Sequence, residues 1–379
     1  IRALVGFDTT SVKSNLPLID FVRDYLAEYG IESRYVVSED GTKANLWATV
    51  GPEGPGGVVI SGHTDVVPVD GQPWDSDPFD LVEKDDRLYG RGTADMKSYI
   101  AIALSLVPEM LSRPLQRPIH FALTHDEEVG CVGAPRLIKD VVENLPRPGA
   151  VIIGEPTEMQ VVDAHKGINS FVTTVTGHEA HSSLTHHGVN AVMTAGRLIA
   201  FLSDLAAEKA ANPEPNSRFD PPYSTIHVGT VEGGTALNIV SRLCEFKWEI
   251  RALPGDDPAE TVARLNEFCE RELVPAMRKV APETGIETVS KLTVPALSPD
   301  PGSPAEQLAF ALTGTNATHA VSYATEGGQF QEAGLPAVVC GPGSIEQAHK
   351  PNEFISLEQV AAGEGFRSEE HTSELQSPD

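Results

Sequence analysis

Three short apolar runs, each followed within a few residues by a histidine or an acid, constrain the fold of this chain most strongly. The pairs are Gly57–Ser61 with His63, Pro118–Thr124 with Asp126–Glu128, and Ala150–Ile153 with Glu155. Apolar runs of about four to eight residues between turn signals are typical of buried strands. In an open α/β sheet, binding sites form at the carboxyl ends of the strands. The pattern therefore predicts an α/β sheet with candidate ligands gathered at one edge.

Helical and strand patterns divide the chain into two domains. A helical pattern over Met96–Leu111 alternates with the early strands, whereas Asn169–Thr176 has the alternation of a half-exposed strand. Two amphipathic helices, Asn190–Ala211 and Pro258–Val280, accompany the later strands before the α/β pattern returns with Ala337–Cys340. The predicted fold class is α/β, with a mixed sheet flanked by helices and an inserted α+β domain. The predicted segments are 1–166 and 286–366 for the larger domain and 167–285 for the insertion.

Neither end of the chain resembles the end of a natural protein. The chain begins at Ile1 rather than at a methionine, inside the helical pattern Ile1–Phe7, which predicts that its true start is missing. Residues 367–377 have no apolar period, and their sequence resembles the in-frame translation of a sequencing-library adapter. We therefore expect residues 367–379 to be a non-native tail that replaces part of a C-terminal helix.

Charge and cysteine content narrow the class of protein. The 379 residues include 54 acidic and 28 basic side chains, and the net charge of −26 argues against binding to nucleic acid or to an anionic membrane. No apolar run approaches the roughly 18 residues of a membrane span, and the chain does not begin with a signal-peptide pattern. The four cysteines are far apart and form no C-x-x-C pair, as expected of reduced thiols in a cytoplasmic protein.

Five segments hold the side chains that could carry chemistry. They are SGHTDVVP (61–68), GRGTADMK (90–97), THDEEVG (124–130), GEPT (154–157) and GSIEQAHKPNE (343–353). Their imidazole and carboxylate groups suit zinc, cobalt or manganese better than calcium. Two metal ions about 3.5–4 Å apart need a bridging carboxylate and separate ligands for each ion. Six candidates supply five ligands and one remaining base: His63, Asp95, Glu127, Glu128, Glu155 and His349.

Other catalytic patterns in the sequence are incomplete. Glu127 and Glu128 do not suit a glycosidase, because neighbours on an extended chain point in opposite directions. HEAH at 178–181 is one residue short of the H-E-x-x-H zinc motif, and G-x-G at 90–92 lacks the third glycine of a dinucleotide loop, which argues against a dehydrogenase. A metal-binding protein without catalysis is a further alternative, which the presence of both Glu127 and His181 disfavours.

From about Leu4 to Ala362 the chain resembles the M20 metallopeptidases, a family that includes deacetylases, desuccinylases, carboxypeptidases and aminoacylases. The resemblance implies two divalent metal ions per subunit, Zn²⁺ or Co²⁺, and makes the larger domain the catalytic domain. The implied ligands are His63, Asp95 and Glu155 for one ion, and Asp95, Glu128 and His349 for the other, with Asp95 bridging.

The resemblance also assigns roles to side chains beside the ligands. Glu127 would act as the general base. Asp65 would hydrogen-bond the imidazole of His63 and so fix its tautomer. The peptide bond Asp95–Met96 would be cis.

The inserted domain would contribute to substrate binding and to assembly. His181, in the segment GHEAHSS, would donate a hydrogen bond to the oxyanion. Asn238 and Arg251 would reach the substrate, and the planar guanidinium of Arg251 suits a carboxylate. The same domain would serve as a lid and make the contact of a homodimer.

Three stretches resemble the acetylornithine deacetylases within this family. They are 164–167 with 182–191, 323–343, and 344–354. The implied reaction converts N2-acetyl-L-ornithine to L-ornithine and acetate; the alternatives are a broad aminoacylase or dipeptidase and a succinyl-diaminopimelate desuccinylase. Glu326, beside Gly327, would favour the ammonium group of the ornithine side chain and repel a second carboxylate. Both residues are therefore predicted to bind substrate.

Overall fold

The protein forms two compact units in a computed structural model that describes residues 1–370, with side chains as far as residue 365. Unit 1 contains Ile1–Ala164, Leu297–Ala320 and the chain from Thr325, and unit 2 contains His165–Ala296 and Val321–Ala324. Within residues 1–370 no helix is both long enough and apolar enough to span a membrane.

Strands and helices alternate along most of the described chain. Strands β1 to β15 are Ser33–Val37, Ala44–Val50, Val58–His63, Val82–Lys84, Arg87–Tyr89, Ile119–Thr124, Ala150–Ile153, Val162–His165, Gly167–Thr176, Thr225–Gly233, Leu243–Ala252, Gly285–Val294, His319–Val321, Ala337–Val339 and Phe354–Ser356. Helices α1 to α11 are Arg2–Val5, Leu16–Glu28, Lys97–Ser105, Val107–Leu111, Ala134–Asn144, Ala191–Ala211, Pro258–Phe268, Val274–Val280, Pro304–Thr313, Gly327–Glu332 and Leu357–Glu370. Short 3-10 turns lie at Ser182–His187 and Ile345–Gln347, and a π-helical segment lies at Cys269–Leu273.

Unit 1 is built on an eight-stranded mixed sheet with the order β1-β2-β6-β3-β7-β14-β8-β13. Strand β3 pairs in parallel with both β6 and β7, whereas β2 pairs antiparallel with β1 and β6. Helices α2, α3, α5, α9 and α10 pack on this sheet. All residues of β3, β6 and β7 are buried, which explains why these strands are continuous apolar runs rather than alternating ones. The predicted mixed α/β fold is confirmed.

Unit 2 is a four-stranded antiparallel sheet, of order β10-β11-β9-β12, with helices on it. Alternate residues of β9 are buried, because only one face of the strand meets the core. Helix α6 begins where the side chain of Asn190 accepts a hydrogen bond from the amide of Met193 at 2.9 Å. The helix predicted over Pro258–Val280 is interrupted by the π-helical segment, since Pro275 has no N–H to continue the bonding pattern.

Three predicted boundaries differ from the observed ones. The insertion was expected to end at residue 285, but β12 begins there and pairs with β9, so unit 2 continues to Ala296. The helix expected over Met96–Leu111 is divided into α3 and α4 just before Pro108. Helix α11 extends to Glu370, into the predicted tail, and residues 371–379 of that tail lie outside the described residues.

Candidate metal centre

The predicted ligands meet at the carboxyl edge of three adjacent strands in unit 1. His63 is the last residue of β3, Glu128 follows β6 and Glu155 follows β7. Because β6 and β7 pair in parallel with β3, their carboxyl ends lie at the same edge. Asp95, just before α3, and His349, just after the turn at Ile345–Gln347, complete the set. The structure thus brings together all five ligands that the strand pattern and the resemblance predict.

The first ligand group is buried and contains one imidazole. Nε2 of His63 lies 2.8 Å from Oδ1 of Asp95 and 3.7 Å from Oε1 of Glu155. One ligand atom from each of the three residues lies within 4.8 Å of the others. The three atoms are therefore close enough to share one ion.

The second group takes the other oxygen of Asp95. Nε2 of His349 lies 3.3 Å from Oδ2 of Asp95 and 2.9 Å from Oε2 of Glu128. Asp95 thus presents one carboxylate oxygen to each group, which is the arrangement that a bridging ligand requires. The side chain of His349 is 55% exposed, so this group, unlike the first, opens to solvent. The Asp95–Met96 peptide bond is cis, as the resemblance implied.

The ionisable side chains of the centre strongly perturb one another. Burial raises the pKa of Glu155 well above its usual value, and the charge of Asp95 adds to this. Burial would also raise the pKa of Asp95, but hydrogen bonds from His349 and His63 outweigh it and lower that pKa. Hydrogen bonds to Asp95 and Glu128 raise the pKa of His349 to about 10. Carboxylates crowded in this way favour any bound positive charge.

The donors fit a divalent metal ion in each group. Among the described residues, Oε1 of Glu155 is a buried oxygen without a hydrogen-bond partner, so a bound metal ion would satisfy it. Nδ1 of His63 lies 2.9 Å from the main-chain oxygen of Asp65, so Nδ1 carries the proton and Nε2 is left as the ligand atom. Imidazole nitrogen with carboxylate oxygen suits zinc, cobalt or manganese.

Asp65 supports the centre in a different way from the one predicted. Its main-chain oxygen, rather than its carboxylate, accepts the hydrogen bond from His63, and the carboxylate is 3.7 Å from Nδ1. The carboxylate instead accepts bonds from the amides of Glu127 at 3.1 Å and Glu128 at 3.3 Å, and from the hydroxyl of Ser11 at 2.7 Å. Asp65 therefore positions Glu127 and Glu128 together.

Glu127 belongs to neither ligand group but lies beside both. Burial raises its pKa to about 8, and the neighbouring charge of Glu128 adds to this shift. The thiol of Cys131 donates to its Oε1 at 3.2 Å, which leaves Oε2 for other partners. A carboxyl group with a pKa near neutrality is suited to exchanging protons.

Glu326 is not exposed to a substrate in this structure, contrary to prediction. It is 1% exposed, and its carboxylate accepts hydrogen bonds from the hydroxyl of Ser61 and, at 2.9 Å, from that of Thr124. These residues lie on β3 and β6, so Glu326 fills a space beneath the strand ends. Gly327 begins the buried start of α10 beside it. Burial raises the pKa of Glu326, which further disfavours a role as an exposed anion.

The three remaining predicted residues lie in unit 2. Nδ1 of His181 accepts a hydrogen bond from the amide of Ser183 at 3.2 Å, so the proton of a neutral ring is on Nε2. Asn238 is exposed, and Nε of Arg251, on β11, donates to Glu249 at 3.1 Å. His181 thus presents an N–H donor, whereas part of the Arg251 guanidinium is already paired.

Sequence reasoning missed the residues that hold the ligands in place. Arg91 and Glu353 form a buried pair, with the side-chain nitrogen and oxygen 2.6 Å apart. Arg91 lies in the segment 90–97 and Glu353 in the segment 343–353. Because charged residues are rarely buried unless they are paired, opposite charges in two such segments could have indicated a buried ion pair. Gln72, whose Nε2 donates to the main-chain oxygen of His349 at 2.9 Å, and Ser11 lie outside those motifs. Nothing in their local sequence distinguishes them.

Comparison with known proteins gives the family. A family model described as "Peptidase family M20/M25/M40" matches residues 59–366. The acetylornithine deacetylase of Myxococcus xanthus is 36% identical over 95% of this chain and 92% of its own length. The acetylornithine deacetylase of Pasteurella multocida is 34% identical over 92% of this chain and 88% of its own length.

Solved structures share the fold at lower identity. An M20 metallo-carboxypeptidase from Sulfolobus solfataricus has a TM-score of 0.74 and 18% identity, covering 98% of this chain and 97% of its own. A dinuclear metal-binding M20 peptidase from Bacillus subtilis has a TM-score of 0.63 and 16% identity, covering 98% of this chain and 95% of its own. By the match of residues 59–366 and by these full-length relatives, the chain belongs to the M20/M25/M40 peptidase family of metal-dependent hydrolases.

Proposed function

We propose that this enzyme hydrolyses N2-acetyl-L-ornithine to L-ornithine and acetate with the help of two divalent metal ions, Zn²⁺ or Co²⁺. The observation that carries the reaction type is the pair of ligand groups sharing Asp95, with Glu127 outside both. Support for the substrate comes from relatives of similar length that are named acetylornithine deacetylases. Because Glu326 is buried, the choice of ornithine rests on those relatives and not on that residue.

In this proposal Glu127 moves the proton. Bound divalent ions would polarise the acyl carbonyl and lower the pKa of water. Oε2 of Glu127 takes a proton from the attacking water while the new carbon–oxygen bond forms. The same atom then gives the proton to the departing amine nitrogen as the carbon–nitrogen bond breaks. The thiol of Cys131 holds the other oxygen of Glu127 and so keeps the carboxylate oriented.

Residues of unit 2 take the remaining roles. Nε2 of His181 donates a hydrogen bond to the oxyanion, consistent with a tautomer set by Ser183. Asn238 and Arg251 bind the substrate, and the guanidinium of Arg251 pairs with the carboxylate of the substrate. We further propose that the enzyme is a cytoplasmic homodimer and that its product enters arginine biosynthesis.

Turnover of three substrates by the metal-reconstituted enzyme tests the proposal. The protein would be stripped with a chelator, reloaded with Zn²⁺ or Co²⁺, and assayed on N-acetylornithine, N-acetylmethionine and succinyl-diaminopimelate. We expect the highest kcat/KM on N-acetylornithine, and a loss of at least about 100-fold in Glu127→Ala. A higher kcat/KM on either other substrate would contradict the substrate assignment, and full activity of Glu127→Ala would contradict the mechanism.

A further inference from the structure

The two ligand groups are held by different parts of the fold. His63 and Glu155 lie at the ends of paired central strands, and the amide of Gly154 donates to the main-chain oxygen of Ser61 at 3.1 Å. His349 instead lies on a loop, with a positive φ of 63°. Main-chain hydrogen bonding of the sheet therefore fixes His63 and Glu155 but not His349, which needs support from side chains.

Arg91 is the centre of a side-chain cluster next to that loop. It is 1% exposed, and a buried guanidinium requires partners. Its Nη1 donates to Oε2 of Glu353 at 2.6 Å, and its Nη2 donates to Oε1 of Gln72 at 2.7 Å. The guanidinium carbon lies 5.2 Å from the ring centroid of Trp74, whose indole N–H also donates to Gln72, at 3.0 Å. We call Arg91, Gln72, Trp74 and Glu353 the Arg91 cluster.

One arm of the Arg91 cluster ends on the shared ligand. Oε1 of Glu353 accepts from the amide of Ala94 at 2.8 Å and from the amide of Asp95 at 3.1 Å. The carboxylate of Glu353 therefore fixes the main chain from which the bridging side chain projects. Because Asp95 serves both groups, this arm bears on both ions.

The other arm ends on His349 alone. Nε2 of Gln72 donates to the main-chain oxygen of His349 at 2.9 Å. Oε1 of Gln72 already accepts hydrogen bonds from Arg91 and Trp74. The side-chain amide of Gln72 is therefore oriented with its N–H₂ group toward His349. Asn352 and Asp75 exchange two further hydrogen bonds, so the loop keeps a second attachment when Gln72 is changed.

We propose that the Arg91 cluster is a positioning device that sets the affinity of the second metal ion, with Gln72 acting on the Asp95–Glu128–His349 group only and Glu353 acting on both groups. The proposal rests on the two-metal function proposed above. None of these four side chains is a ligand. Their role is to hold Asp95 and His349 at the separation that the second ion requires.

The substitution Gln72→Glu tests this assignment with little change in shape. A glutamate at position 72 keeps an acceptor for Arg91 and Trp74 but faces the main-chain oxygen of His349 with a second acceptor. Gln307→Glu is a matched control, since Nε2 of Gln307 donates to the main-chain oxygen of Gly302 at 2.9 Å, away from the metal centre. Each chelator-treated protein would be titrated with Zn²⁺ by calorimetry and with Co²⁺ by visible absorption.

We expect Gln307→Glu to bind each of the two ions with the affinity that wild type has for that ion. Gln72→Glu should bind the first ion within about twofold of wild type and the second about 10- to 100-fold more weakly. Glu353→Gln should weaken both ions. Equal weakening of both ions in Gln72→Glu, or no weakening of the second, would overturn the inference. Two-ion binding without hydrolysis of N-acetylornithine would instead reject the proposed substrate. It would leave the two-metal centre, and with it this inference, standing.

Discussion

Replacing Asp65 by asparagine should weaken one metal ion more than the other, for a reason that can be worked out bond by bond. Oδ1 of Asp65 accepts from the amide of Glu127, and Oδ2 accepts from the amide of Glu128 and from Ser11. In Asp65→Asn, the new N–H₂ group can face the Ser11 hydroxyl, which can reverse and accept. The amide of Glu128 then faces a donor and loses its acceptor, while that of Glu127 keeps one.

The size of the effect follows from that lost bond. An amide left without an acceptor in a buried place costs about 1–3 kcal/mol, and the amide of Glu128, which is partly buried, falls toward the lower part of that range. If that cost appears as displacement of the Glu128 ligand, the affinity for the second ion falls roughly 5- to 150-fold. The first ion should be almost unaffected, because its three ligands keep their own contacts.

Calorimetric titration with Zn²⁺ checks the Asp65→Asn prediction, and Ser11→Ala is its control. That control removes the hydroxyl but leaves both hydrogen bonds that the amides donate to the carboxylate, so we expect a smaller loss at the second ion. The reasoning would be refuted if Asp65→Asn bound both ions as tightly as wild type does. It would also be refuted if Ser11→Ala lost as much affinity for the second ion as Asp65→Asn does.

Three further substitutions give separate tests. Glu127→Gln should lower kcat by about 10²- to 10⁴-fold while calorimetry still detects two ions; loss of an ion would place Glu127 among the ligands. Glu326→Gln should lower kcat/KM equally on N-acetylornithine and N-acetylmethionine, because the residue is buried; a loss confined to N-acetylornithine would restore its predicted substrate contact. Burial lowers the pKa of His120 to about 4, below the roughly 6.5 of an unfolded histidine. The stability that depends on neutral His120 is therefore complete above pH 6.5 and is lost as the pH falls toward 4, by about 2 kcal/mol at pH 5. His120→Phe keeps a ring against Trp47, and denaturant unfolding at pH 7.5 and 5 should show a smaller acid loss; an unchanged loss would exclude His120 as its source.

The grouping of the candidate ligands could be predicted because these residues follow local patterns. Each of His63, Glu128 and Glu155 closely follows or ends an apolar run, and parallel pairing of those runs is enough to bring the three together. Asp95 and His349, which lie outside the strands, were candidates from their own segments, and the family resemblance then gave a role to each of the five candidate ligands. Both findings depend on short segments that can be read directly from the chain.

The contacts around the ligands could not be predicted, because they depend on long-range packing. The pair Arg91–Glu353 joins residues 262 positions apart, and Glu326 is 265 positions from Ser61. No period or spacing in the sequence relates such positions. The end of the insertion was misplaced for a similar reason, since only pairing with β9 shows that β12 belongs to unit 2.

Because His349 lies late in the chain, the ligands for the two metal ions become available at different times during synthesis. His63, Asp95 and Glu155 all precede unit 2, and β3 can pair with β6 and β7 before any later segment exists, although β14 later joins the other side of β7. The ribosome must add 194 further residues (349 − 155) before His349 exists. At about 5–20 residues per second, that interval is roughly 10–40 s. A growing chain could therefore capture one ion well before it can bind a second, although it would hold that ion weakly until Glu353 fixes the main chain at Asp95. The first ion would then stabilise a half-made sheet while the rest of the protein is still being translated.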